Sequence, residues 1–198
     1  MGKFSDVLLT VDYDRTLTAP DSSIPERNLE AIRYFMENDG AFTVNTGRSV
    51  PMIQAFRDRV PVNAPLLLYN GSAAYDLAAG KLLFCHEIQL DMWQTVQECM
   101  TLFPDLTVEV QGLDAHYRFT ENPAWDAFSD NNQCARGFAQ PGDDLGPFLK
   151  FTLYGEFRDV TVASMFDGTP EEVRRMDDAE AQLKARFGAY CEVFRAAT

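Results

Sequence analysis

The strongest constraint on this chain is an unbroken apolar run, Val7-Leu8-Leu9-Thr10-Val11, that stops abruptly at Asp12-Tyr13-Asp14. The run is rich in branched side chains and too short for a helix, so it reads as a buried strand of a parallel sheet. Two carboxylates at i and i+2 stand where that strand leaves the sheet, which is where open α/β sheets bind their ligands. Acids so close repel each other unless a cation lies between them or one is protonated. Either outcome suits catalysis. The competing reading makes Asp12 and Asp14 simple turn residues.

The chain that follows alternates helix and strand. Pro25 and Glu26 suit a helical first turn, Leu29, Ile32 and Met36 recur at helical spacing, and Gly40 reads as the stop. Ala41–Asn45 is the next strand, and Ile53, Phe56 and Val60 mark one face of a second helix. Leu66–Tyr69 is a third buried strand, closed by Asn70-Gly71. Three strands with two intervening helices form a βαβαβ half of a doubly wound sheet.

Thr46-Gly47-Arg48 follows the second strand as Asp12 follows the first. A helix N-terminus there would offer amides to an anion, Thr46 would add a hydroxyl, and Gly47 would let the backbone approach closely. As a plain helix cap the same residues would need no ligand.

Beyond about Phe84 the pattern changes. Met92, Val96, Cys99 and Phe103 share a helical face, and Leu106–Val110 and His116–Phe119 alternate as a hairpin would. Trp125–Phe128 reads as a short helix, Phe148–Tyr154 as a strand, and Val160–Met165 as another. Thr169-Pro170-Glu171-Glu172 is a capping box with proline at the first helical position. Val173, Met176, Leu183 and Phe187 then mark a buried stripe, Gly188 ends it, and Tyr190–Arg195 reads as a last strand. Elements that do not simply alternate indicate a separate α+β unit.

The 198 residues carry a net charge of −13, which excludes a nucleic-acid backbone as partner, because phosphate contacts need clustered Lys and Arg. A small phosphorylated ligand remains compatible, since a metal or local cation inverts the field inside one site. No apolar stretch approaches a membrane span, and the N-terminus lacks a secretory apolar region. Cys85, Cys99, Cys134 and Cys191 show no zinc spacing. The expectation is a cytoplasmic protein with free thiols.

Asp12-x-Asp14-x-Thr16 after an apolar strand, Thr46-Gly47-Arg48 after the next, and Asn70-Gly71-Ser72 after the third together resemble the haloacid dehalogenase-like phosphohydrolases, in their type-IIB, Cof-like branch. The resemblance implies an α/β fold: a Rossmann-like core, residues 1–84, with an α+β cap, residues 85–198, inserted after the third strand. It implies a Mg²⁺-dependent phosphomonoesterase acting on a small soluble phosphate ester such as a sugar phosphate. Asp12 would be the nucleophile that forms an aspartyl-phosphate, and Asp14 the acid that protonates the leaving oxygen and then activates water. Mg²⁺ would be held by an Asp12 carboxylate oxygen and the Asp14 carbonyl. Thr46 and Gly47 would bind the phosphoryl oxygens, with Arg48 either joining them or lying on the helix surface.

Two departures accompany the resemblance. Arg15 stands where the family has glycine, and it either meets an anionic substrate or points outward. The family pattern also continues beyond the cap with a lysine and a Gly-Asp-x-x-Asn/Asp motif, and neither follows here. The expectation is therefore a core lacking its C-terminal part, with the Asp12 strand left as an apolar edge open to self-association. Other readings that fit are a non-catalytic binding module of the same fold, a phosphomutase of the same superfamily, and a nucleotide-sugar transferase gripping metal through Asp-x-Asp. Thr46-Gly47-Arg48 argues against the last. His116, Tyr117, Arg118 and Trp125 are candidates either for substrate contact or for the interior of the cap.

Overall fold

A computed structural model describes residues 2–54, 57–131, 134–155 and 168–195. The chain divides into two compact units, residues 1–86 and 87–198.

The first unit is a five-stranded sheet in the order β1-β2-β3-β4-β5. Strands β1 (Leu8–Asp12), β2 (Ala41–Asn45) and β3 (Leu66–Leu68) run parallel. They are joined through helix α1 (Glu26–Glu37) and the short α2 (Val50–Gln54), as parallel pairing demands. The register pairs Asp12 with Asn45 and Asn45 with Leu67. All three strands therefore end together, and the polar ends of β1 and β2, Asp12 and Asn45, share one edge of the sheet. Phe42, Val44, Leu66 and Leu68 are buried in the core of this unit, and Ile32 of α1 is buried in the same unit. Phe56 lies outside the described residues.

Two expectations are corrected here, and one element was not anticipated. Strand β1 is the sheet's edge, as expected, and so is not the buried strand its apolar run alone indicated: Val7, Leu8 and Leu9 are exposed, Leu8 at 60%. A run this apolar is ordinarily covered on both faces. Gly40 does not end α1 by a left-handed turn; Asp39 takes that conformation, with φ of 67°. Gly40 is needed for space, since a Cβ there would fall 2.4 Å from the Phe35 ring. Finally, β4 (Ala73–Asp76) and β5 (Lys81–Cys85) form an antiparallel hairpin that the sequence pattern did not reveal.

The second unit is a four-stranded sheet in the order β8-β7-β6-β9. Its strands are β6 (Thr107–Gln111), β7 (His116–Arg118), β8 (Arg136–Phe138) and β9 (Phe151–Tyr154), and its helices are α3 (Met92–Leu102), α4 (Pro123–Asn131) and α5 (Pro170–Phe187). The expected hairpin is present, with β6 and β7 antiparallel and Gly112 N–H donating to the Ala115 carbonyl. Val96 and Cys99 of α3, Val108 and Val110 of β6, and Phe187 of α5 form one apolar core. The capping box is formed: Thr169 Oγ1 accepts from Glu172 N–H, and the Glu172 carboxylate accepts from Thr169 N–H at 2.6 Å. Tyr190–Arg195 is not a strand. The Tyr190 and Cys191 amides turn back to the Phe187 carbonyl, so the backbone keeps winding where α5 ends. The expected strand at Val160–Met165 lies outside the described residues.

The other face of the second sheet is polar and equally buried. Glu109, 1% exposed, accepts from Trp125 Nε1 at 2.7 Å, Gln111 Nε2 at 2.8 Å and Tyr154 OH at 3.2 Å, with His116 Nδ1 at 3.3 Å. Arg118 grips Asp126 of α4 with two bonds, donating from Nε to Oδ1 and from Nη2 to Oδ2. His116, Arg118 and Trp125 are thus interior residues of this unit, while Tyr117 is half-buried and donates to Asp114 at 2.8 Å.

Candidate active site

Asp12 closes β1 in extended conformation, and the chain then makes one wide turn over Tyr13–Leu17. Inside that turn Asp14 is extended and Arg15 left-handed, with φ of 61°. A left-handed backbone places Cβ against the following carbonyl at a cost of about 1–2 kcal/mol, which explains why glycine suits this position and makes Arg15 a strained choice. The turn is stitched by Thr18: its Oγ1 accepts from Arg15 N–H at 3.1 Å and donates to the Tyr13 carbonyl at 3.2 Å. Thr16 Oγ1 donates to Asp12 Oδ2 at 3.1 Å. The two acids are exposed to solvent, whereas Tyr13 between them points inward and is 2% exposed.

Thr46-Gly47-Arg48 forms a separate bend ahead of α2. The helix begins at Val50, and the residue that caps it is Ser49, whose carbonyl accepts from Ile53 N–H and whose Oγ accepts from Met52 N–H. The expected helix N-terminus at Thr46 is therefore displaced by three residues. What holds the bend is the third strand end. Thr46 N–H donates to the Leu67 carbonyl, Asn70 N–H to the Thr46 carbonyl, and Tyr69 N–H to the Arg48 carbonyl. Thr46 Oγ1 accepts from Arg48 N–H at 3.2 Å, which leaves its own proton to donate. Tyr69 and Asn70 both take left-handed backbone to make these bonds. The Asn70 side chain packs against Gly47 so closely that a Cβ there would sit 3.0 Å from Nδ2. The asparagine was legible as a turn signal, but its grip on Thr46-Gly47 was not.

Arg48 is buried, not a helix-surface residue. It donates from Nε to Asp14 Oδ2 at 2.9 Å and from Nη2 to Asp14 Oδ1 at 2.7 Å. Its guanidinium lies 4.9 Å from the centroid of the Tyr13 ring. Burial pushes the Tyr13 hydroxyl above its ordinary pKa, and the Arg48 charge offsets part of that rise. The structure thus joins Asp14 to Arg48 directly and sets Asp12 beside Asn45, one residue before Thr46.

The donors on offer to a cation are the exposed Asp12 carboxylate and the Asp14 carbonyl, hard oxygens of the kind Mg²⁺ prefers while it keeps several waters. Among the described residues no cluster of three or more His, Cys, Asp or Glu converges. Two ligands are what these residues supply, and they fit a hard cation in kind.

An α/β sheet with paired acids at one strand end and a hydroxyl-glycine bend at the next, accompanied by a separate α+β unit, defines a hydrolase class with a strand-end carboxylate centre. The chain belongs to the haloacid dehalogenase-like hydrolase family, whose match spans residues 9–193. Among solved structures it is similar to a haloacid dehalogenase-like hydrolase from Bacteroides thetaiotaomicron, at 18% identity and a TM-score of 0.72, over 98% of this chain and 68% of that one. It is also similar to a haloacid dehalogenase-like hydrolase from B. subtilis, at 14% identity and a TM-score of 0.62, over 87% and 67%. A structure described as a subclass IIB sugar phosphatase matches at 14% identity and a TM-score of 0.54, over 68% and 52%. These likenesses concern the fold. The chain spans about two thirds of the length of the first two structures. No curated protein matches it.

Proposed function

We propose that the protein is a Mg²⁺-dependent phosphomonoesterase that works through an aspartyl-phosphate on a small soluble ester, a sugar phosphate being the leading class. The observation that carries this reading is the shared strand-end edge, with Asp12 in register beside Asn45 and the Thr46-Gly47 bend one residue on. A sugar phosphatase among the fold neighbours supports the substrate class.

The Asp12 carboxylate attacks phosphorus, and the bond to the leaving oxygen breaks as that oxygen takes a proton from Asp14. Asp14, now ionised, accepts a proton from water whose oxygen attacks the same phosphorus. The Asp12–phosphorus bond breaks and phosphate leaves. Thr46 Oγ1 and the Gly47 amide donate to the phosphoryl oxygens and orient them. Thr16 holds Asp12 in place. Mg²⁺, held by the Asp12 carboxylate and the Asp14 carbonyl, would supply charge neutralisation at the phosphoryl group.

The test is hydrolysis of an aryl phosphate by the full-length protein with Mg²⁺. Asp12→Asn should abolish turnover by several orders of magnitude, since an amide is a poor nucleophile and a weaker ligand. If Asp12→Asn kept near-wild-type turnover while Asp14→Asn lost it, the assignment of roles would be reversed.

The same reading places the protein in the cytoplasm, where its four free cysteines are chemically stable. Among the described residues no helix is long and apolar enough to cross a membrane. It also allows residues 1–198 to self-associate through the exposed edge of β1. Sedimentation of the purified chain tests this: a monomer at all concentrations would rule the pairing out.

A further inference from the structure

We propose that Arg48 is a positioning residue for the acid–base step, aiming the Asp14 carboxylate at the leaving oxygen instead of binding the phosphoryl group. The inference rests on the phosphatase reading and adds to it the residue that makes Asp14 competent.

Asp14 has little of its own to hold it. It lies in a turn, in extended conformation before a left-handed residue, and its side chain is 45% exposed. A carboxylate so placed rotates freely unless something fixes its plane. Arg48 does so with two parallel bonds, Nε to Oδ2 and Nη2 to Oδ1, the fork geometry that sets orientation as well as distance. Arg48 is itself tethered. Its side chain is 8% exposed, its guanidinium rests over the buried Tyr13 ring, and its backbone is tied at N–H to Thr46 Oγ1 and at the carbonyl to Tyr69 N–H.

The arrangement also suits proton transfer. Each carboxylate oxygen offers two lone-pair sites, and the fork occupies one on each. One site per oxygen is left to carry the proton that goes to the leaving oxygen and is later regained from water. Arg48 commits Nε and Nη2, one edge of its guanidinium fork, to the two Asp14 oxygens, so along that edge it acts through Asp14.

The consequence is read in the leaving group. An alkyl oxygen needs protonation as it departs, whereas a p-nitrophenolate leaves unaided, so a residue acting through the acid matters for the first and little for the second. In the full-length protein, kcat/KM for glycerol phosphate and for p-nitrophenyl phosphate should be compared in wild type, Arg48→Lys, Arg48→Ala, Asp14→Asn and the Arg48→Ala/Asp14→Asn double variant. Arg48→Ala should lose about 10²-fold on the alkyl ester and only a few-fold on the aryl ester, with inhibition by inorganic phosphate unchanged. Arg48→Lys, which keeps the charge without the fork, should recover part of the loss. In the double variant the alkyl ester should lose no more than with Asp14→Asn alone, because residues acting as a unit are non-additive.

Equal losses on both esters, additivity with Asp14→Asn, and weakened inhibition by phosphate would overturn the proposal and make Arg48 a phosphoryl ligand. Should Arg48→Ala not fold, Arg48→Lys carries the same comparison of esters. A wild-type protein inactive on both esters would instead overturn the phosphatase reading, a result distinct from any pattern among the variants.

Discussion

Trp125 donates its indole N–H to Glu109 across 2.7 Å, joining helix α4 to strand β6 where both side chains are sealed from solvent, at 0% and 1% exposure. A buried carboxylate is stable only when its oxygens are satisfied, and Glu109 draws donors from β6, β7, α4 and β9. Four elements thus converge on one charge, which makes it a structural pin of the second unit.

Glu109→Gln should destabilise the second unit by about 3 kcal/mol at neutral pH, since the donors that surround the carboxylate lose their charged acceptor and meet an amide N–H₂. Burial pushes the Glu109 carboxyl up, but the His116 ring and the hydrogen bonds from Gln111 and Trp125 outweigh it and hold the group below its ordinary value. Its contribution is therefore present above the ordinary carboxylate pKa and is lost as pH falls through the depressed one. Urea unfolding followed from pH 7 downward should show wild type and Glu109→Gln converging in acid. A constant gap at every pH would mean that Glu109 does not ionise.

Gly47→Ala should cut kcat/KM by at least ten-fold with little loss of stability, because the new Cβ comes within 3.0 Å of the Asn70 side chain and displaces it slightly at the bend that presents Thr46, and small displacements in a site are costly. Asn70→Gly tolerates the left-handed φ of 60° at that position and removes the obstructing side chain. In that background Gly47→Ala should be nearly silent. An undiminished penalty would place the clash elsewhere.

Arg15→Gly should raise the unfolding free energy by about 0.5–1 kcal/mol, the relief of left-handed strain less the added freedom of glycine in the unfolded chain. Arg15→Ala keeps the strain and should gain nothing. Thermal melts of the two variants decide the matter, and alanine equal to glycine would show that backbone strain at residue 15 is not what the site tolerates.

The local patterns of this chain specified many of its elements by themselves, though not the β4–β5 hairpin, the start of α2 or the end of α5. Short apolar runs specified β2 and β3, the period of two or 3.6 specified α1, α3 and the hairpin of β6 and β7, and the capping box at Thr169 specified the start of α5, because those signals depend on neighbours a few residues apart. The pairing of strand ends with Asp12, Thr46 and Asn70 was legible for the same reason. Tertiary structure alone decided what depends on distant partners. Whether Val7–Val11 is covered depends on which strands flank β1. Whether Arg48 faces solvent, phosphate or Asp14 depends on a turn 34 residues away in sequence. Whether Glu109 is an exposed strand residue or a sealed pin depends on Trp125 and Tyr154, 16 and 45 residues further on. A charged side chain carries no periodic mark of its partner, so its role is settled only when the fold brings the two together.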